Sequence, residues 1–153
     1  MKPKVYRLKE VAFSVHGSPV AQPRTKARAI TARSGRTFAQ VYEPGGPARQ
    51  WKADIKQEAI KHKPPAPFLG AIYLNLKFYL IRPRSLYRRK DSNGPISHTG
   101  RPDCDNLFKA VADALTGIVF RDDSQIAAAV IQKFYTEKDK GPRVEIKIME
   151  KDR

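Results

Sequence analysis

Five of the chain's fifteen acidic residues, Asp103, Asp105, Asp113, Asp122 and Asp123, fall within twenty-one positions of a sequence carrying thirty Lys and Arg. Neighbouring carboxylates repel unless a cation or hydrogen-bond donors neutralise them. A fold built from this chain must therefore bring a neutralising group to that stretch or leave it in turns exposed to water. Residues 1–102 hold twenty-one basic and five acidic residues, the island holds only Lys109 and Arg121 as bases, and the last thirty residues are nearly balanced. An acidic island inside a basic chain is harder to dismiss as a solvated face than an acidic tail would be.

Around the island the apolar pattern reads as α/β. At 153 residues one domain is the default, with a core of useful size, and 41% hydrophobic content argues against disorder. Strands are expected at residues 11–15, at 71–81, where Ile72, Leu74, Leu76 and Phe78 share one face, at 126–135, and at 143–149. A helix is expected after Glu43-Pro-Gly-Gly-Pro47, running to about Lys61, with Trp51, Ile55 and Ala59 as its core stripe and Ile60 beside it. A second is expected from Asn106 to Thr116, with Leu107, Val111, Ala114 and Leu115 inward and Gly117 ending it. The expected architecture is a mixed sheet of about four strands with two main helices packed on it.

The net charge of +15 and a pI near 10.1 attract polyanions. Residues 22–42 carry Arg24, Lys26, Arg28, Arg33 and Arg36 without an acid, and read as an irregular basic arm for phosphate contact. Residues 82–101 read as a long basic loop with Arg88, Arg89, Lys90 and Arg101. His98 reads as an exposed loop residue without a catalytic role. One cysteine, Cys104, excludes an internal disulfide and a Cys-rich zinc site. The residues after Met1 lack the apolar core of a secretory signal, and no apolar run is long enough to span a bilayer. A cytoplasmic protein is expected.

In extended backbone Asp103 and Asp105 would leave the same face, with Cys104 turned into packing as a small hydrophobe. Either aspartate could instead cap the following helix. Lys109 and Asp113 follow Asp105 at i+4 and i+8, as helical salt-bridge partners or, for Lys109, as a fixed cation that meets a phosphate. Asp122 and Asp123 follow the apolar Ile118-Val-Phe120 strand end. Clustered carboxylates without His or Cys suit a hard cation, Mg2+ or Mn2+, which can activate water against a phosphodiester.

Pro102-Asp-x-Asp-Asn-Leu-x-Lys109, Asp113-Ala-Leu-x-Gly117 and Asp122-Asp-x-Gln125-Ile126 resemble the RusA family of Holliday-junction resolvases. Gly17-x-Pro-Val-Ala-Gln-Pro-Arg24 is similar to the family's basic N-terminal segment. The resemblance implies a small, homodimeric, Mg2+-dependent endodeoxyribonuclease, bacterial or carried by a phage, that resolves four-way DNA junctions. It assigns metal binding to Asp103, Asp105 and Asp123, with Asp122 assisting, and a catalytic role to Lys109. Asn106 and Asp113 would be supporting residues. Two alternatives stay open: a nuclease of flaps or other branched DNA, and a non-catalytic basic nucleic-acid-binding protein.

Overall fold

The computed structural model describes residues 9–42 and 45–151. The N-terminal segment read for a signal, and Glu43-Pro44 before the first helix, lie outside them. The elements are β1 (Lys9–His16), β2 (Lys26–Thr31), β3 (Thr37–Tyr42), α1 (Pro47–His62), β4 (Ala71–Leu80), β5 (Ile96–Ser97), α2 (Cys104–Leu115), β6 (Ile126–Tyr135) and β7 (Arg143–Lys151). One mixed sheet has the order β1-β7-β4-β6-β5, and β2 and β3 form a separate hairpin.

The alternation in β4 decides the layering. Ile72, Leu74, Leu76 and Phe78 point to one face and are buried against Trp51, Ile55 and Ala59 of α1 and Leu107, Val111 and Ala114 of α2. Spacing by three and four residues gives each helix a single apolar stripe, so both pack on the same side of the sheet. The strands anticipated at 11–15, 71–81, 126–135 and 143–149 are β1, β4, β6 and β7. The fifth strand, β5, comes from the loop read as irregular. It pairs through Ile96 with Tyr135 and through Ser97 with Phe134. That loop is organised from within: buried Arg82 donates to the carbonyls of Ser92 and Gly94 and lies over the Tyr87 ring. His98 is half-buried rather than exposed, edge-on to Tyr135 at 4.6 Å, and burial lowers its pKa with help from Lys133.

Two further readings are corrected. Residues 26–42 form an antiparallel hairpin, not an irregular arm, because Ala27, Ala29 and Thr31 alternate with Lys26, Arg28 and Ile30 in a β-compatible pattern. Gly35, at φ +81°, closes its turn. Residues 117–120 form a turn that bridges through Phe120 to Phe68 and Thr116, not a strand end.

β4 and β6 run parallel, and α2 is part of the crossover between them. The chain enters α2 from the end of the sheet where β4 finishes and leaves it at the end where β6 starts. Beyond the two residues paired with β5, the outer edge of β6 has no strand partner among the described residues. Ala127 to Val130 are exposed along it, Val130 by 56%.

Candidate active site

α2 sets the site because its buried stripe fixes its rotation. With Leu107, Ala110, Val111 and Ala114 inward, Asp105 and Lys109 are exposed and Asp113 is half-buried on the outer face. Asp103 is the N-cap, in extended backbone (φ −77°, ψ 150°), but its side chain makes no cap hydrogen bond. The helix therefore starts one residue earlier than the sharing of one extended face by Asp103 and Asp105 requires. Cys104 is its first residue and is only half-buried. Asp105 in the first turn meets the positive end of the helix dipole.

The helical salt bridge anticipated for Lys109 does not form. Among the described residues no carboxylate lies within 4 Å of its ammonium group, whereas Asp113 is engaged through its Oδ2. The Gln22 amide donates to Asp113 at 2.9 Å, and the Lys52 ammonium group of α1 stands 3.7 Å from the same carboxylate. The Gln22 backbone N–H also donates to the Asn106 carbonyl at 3.0 Å. These contacts seat the root of the β2–β3 hairpin on α2. Between root and helix lies a cleft of about 410 Å³, lined by Arg24, Thr25, Asn106 and Lys109 with Asp113 at its side.

The segment leading to Asp103 is held by β6. The Lys133 ammonium group donates to the carbonyls of Gly100 at 2.7 Å and Pro102 at 2.8 Å. The second acidic pair is held by Gln125. Its Oε1 accepts the Asp122 N–H at 2.8 Å while its Nε2 donates to the carbonyls of Phe68 and Gly70 at 2.9 and 3.0 Å. Asp122 caps the short 3₁₀ turn Asp123–Gln125. A hydrogen bond between the two carboxyls holds Asp122 below the usual carboxylate range and raises Asp123, and the charge of Asp113 adds to the rise.

Asp123 directly precedes β6, which starts at the end of the sheet where α2 finishes, and Gln125 ties its turn to the Phe68 and Gly70 carbonyls just before β4. Asp105 and Asp113 are separated along the axis by about 12 Å, at 1.5 Å per residue. Asp103 and Asp105 thus stand at one end of α2 and Asp122 and Asp123 at the other. Accordingly, among the described residues no three His, Cys, Asp or Glu side chains gather closely enough to hold a metal ion.

The remaining sequence-derived contact residues are dispersed. Arg24 lines the cleft, Lys26 and Arg28 lie on β2, and Arg33 and Arg36 flank the hairpin turn. Arg89, Lys90 and Arg101 are exposed on the loop, while Arg88 is tied to Asp91 at 3.1 Å. Four residues that position the site escaped the sequence reading: Gln22, Lys52, Gln125 and Lys133. Gln125 stood inside the acidic motif and Gln22 inside the segment Gly17 to Arg24, so both carried a signal; Lys52 and Lys133 are single polar residues whose partners lie far along the chain.

Residues 16–149 match the family described as Endodeoxyribonuclease RusA. The chain belongs to this family. It is also 32% identical, over 145 residues covering 92% of this chain and 96% of the relative, to the uncharacterized protein YqaN of Bacillus subtilis strain 168. Among the described residues no helix is long and apolar enough to cross a membrane.

Proposed function

We propose that the protein is a homodimeric, Mg2+-dependent endonuclease that cuts four-way DNA junctions in recombination and repair, in the cytoplasm of a bacterial or phage-infected cell. The observation that carries the reading is the outer face of α2. With Asp103 at the N-cap, it presents Asp105 and Lys109 beside a cleft whose rim includes Arg24, and among the described residues none of the three has an ion-pair partner. In a merely structural helix these charges would satisfy one another.

The donor set suits a hard, oxygen-loving ion, since the proposed ligands are all carboxylates, with Cys104 between two of them as the half-buried first residue of α2. Mg2+ keeps several waters and is usually bound through one or two carboxylates together with substrate phosphates, and the pair Asp103 and Asp105 can provide the carboxylates. Asp123 of the partner subunit, with Asp122 of the partner subunit assisting, would complete the set. When bound, the ion supplies Lewis-acid polarisation of the phosphodiester and a deprotonated water for attack.

The chain's own residues do the rest. Lys109 places a fixed ammonium group where negative charge grows on the attacked phosphate. Arg24 holds the neighbouring phosphate in the cleft. Asn106 and Asp113 support the lysine's surroundings by anchoring Gln22.

The separation of the two carboxylate pairs along α2 supports a dimer. β6 starts beside Asp123 and ends beside Asp103, because Ile126 follows the first and Lys133 holds the approach to the second. Two copies pairing their open β6 edges antiparallel about a twofold axis would set the partner subunit's Asp123 next to this chain's Asp103 and Asp105. Such a dimer carries two equivalent sites, as the two symmetric strands of a junction require.

A panel of end-labelled four-way junction, flap and linear duplex tests the substrate. Symmetric paired cuts in the junction are expected, with little cutting of duplex. Preferential cutting of the flap would replace the junction assignment with the flap nuclease.

A further inference from the structure

The β2–β3 hairpin has two unlike faces. Cross-strand register puts Lys26 opposite Tyr42, Arg28 opposite Gln40 and Ile30 opposite Phe38 on one face. The other face carries Ala27, Ala29, Thr31, Thr37, Ala39 and Val41, without a charge. Every residue of both strands is exposed except Ile30, which is half-buried. A two-stranded hairpin with this little burial is marginally stable by itself, so its exposed aromatic rings lack a structural reason.

The first face is graded from root to tip. At the root, the Arg28 guanidinium donates to Gln40 Oε1 at 3.0 and 2.9 Å and lies 5.3 Å from the centre of the Tyr42 ring. Those contacts spread Arg28 flat along the ribbon. Towards the tip, Phe38 is 51% exposed, and Arg33 and Arg36 occupy the turn just beyond it. An apolar ring thus stands between cations, on an arm rooted by Gln22 beside Lys109. Base stacking on an aromatic ring, with phosphates held to either side, has this arrangement.

We propose that Phe38 stacks on an unstacked base at the branch point while Arg28, Arg33 and Arg36 hold the flanking phosphates. The inference rests on the reading of branched DNA as substrate and adds the surface that distinguishes a branch from linear duplex. Charge selects the occupant: residues 26–42 contain no acid, so docking against a second +15 copy would set cation against cation. Intact duplex offers Phe38 no free base face. A branch point does.

The test compares wild type, Phe38→Ala, Phe38→Trp and Arg28→Ala, binding a four-way junction and a linear duplex of equal length in EDTA. The junction carries 2-aminopurine at the branch. Phe38→Ala is expected to lose roughly tenfold on the junction, and less than about twofold on duplex, with the 2-aminopurine signal change abolished. Phe38→Trp is expected to retain both. Arg28→Ala is expected to weaken both substrates and to flatten the salt dependence.

Equal loss on both substrates, or no loss on either, overturns the inference and leaves the nuclease reading standing. A wild type that does not prefer junction to duplex overturns both together. A changed sedimentation mass for Phe38→Ala shows that the ring packs on a second copy, and also overturns it. Because Phe38 is exposed, an unchanged melting temperature is expected and separates these effects from misfolding.

Discussion

The Gln22 side-chain amide donates to the Asp113 carboxylate at 2.9 Å, joining residues ninety-one positions apart. Through that bond the hairpin root is fixed to the helix that presents Lys109. Asp113 is thus an anchor for the hairpin. Gln22→Ala and Asp113→Asn are expected to lower DNA affinity by roughly three- to tenfold, in line with loss of a charge-assisted hydrogen bond. Fluorescence anisotropy with labelled junction measures this, and circular dichroism should show an unchanged fold.

Gln125 makes three hydrogen bonds that tie the Asp122–Asp123 turn to the carbonyls at the start of β4. Gln125→Ala leaves these groups without partners at a cost of about 1–3 kcal/mol. The larger expected effect is on cutting: junction binding stays within about threefold of wild type while single-turnover cleavage falls by at least about tenfold.

Separation of the carboxylate pairs makes a prediction that only a shared site satisfies. Asp105→Asn and Asp123→Asn should each be inactive alone. Mixed and allowed to exchange subunits, they should regain nicking, because one site of each mixed dimer is then intact. Absence of recovery would place all the ligands of a site in one chain.

Stability has its own pH signature. Arg143, almost fully buried, donates to both carboxylate oxygens of Glu137 at 2.9 and 3.0 Å, and its guanidinium lies 3.8 Å from the centre of the Tyr79 ring. The Arg143 hydrogen bond holds the Glu137 carboxyl below its ordinary 4.5, outweighing burial. The resulting stabilisation is present above pH 4.5 and lost as pH falls through the lower folded value. Glu137→Ala is expected to cost roughly 3 kcal/mol near neutral pH. Thermal unfolding should show the gap to wild type closing in acid.

Much of this was legible in the sequence for a physical reason. Period-two runs such as Ile72, Leu74 and Leu76, and the Trp51, Ile55, Ala59 stripe, encode burial locally, and the four long strands and two helices followed from them. Trp51 is a core anchor as its spacing indicated, while Ile60, beside that stripe, is exposed by 54%. The hairpin was hidden because Lys and Arg dominate its composition and its strands bury almost nothing. β5 was hidden because two residues carry no period.

The acidic motif was visible as a motif, but its geometry was not. Whether Asp103 and Asp123 meet depends on the parallel β4–β6 crossover, which places them at opposite ends of α2, and no local pattern reveals a crossover. Gln22 and Lys133 act through partners far away in sequence, beyond the reach of spacing arguments.

On the proposed function, the exposed carboxylates and Lys109 at α2 carry Mg2+-dependent cutting of DNA. The most direct measurement is single-turnover cleavage of a labelled four-way junction by wild type, Asp105→Asn and Lys109→Ala, each with Mg2+ and with EDTA. Wild type should cut only with Mg2+, and both variants should bind the junction yet cut at least about a hundredfold more slowly. Cutting by wild type in EDTA, or undiminished cutting by both variants, would contradict it.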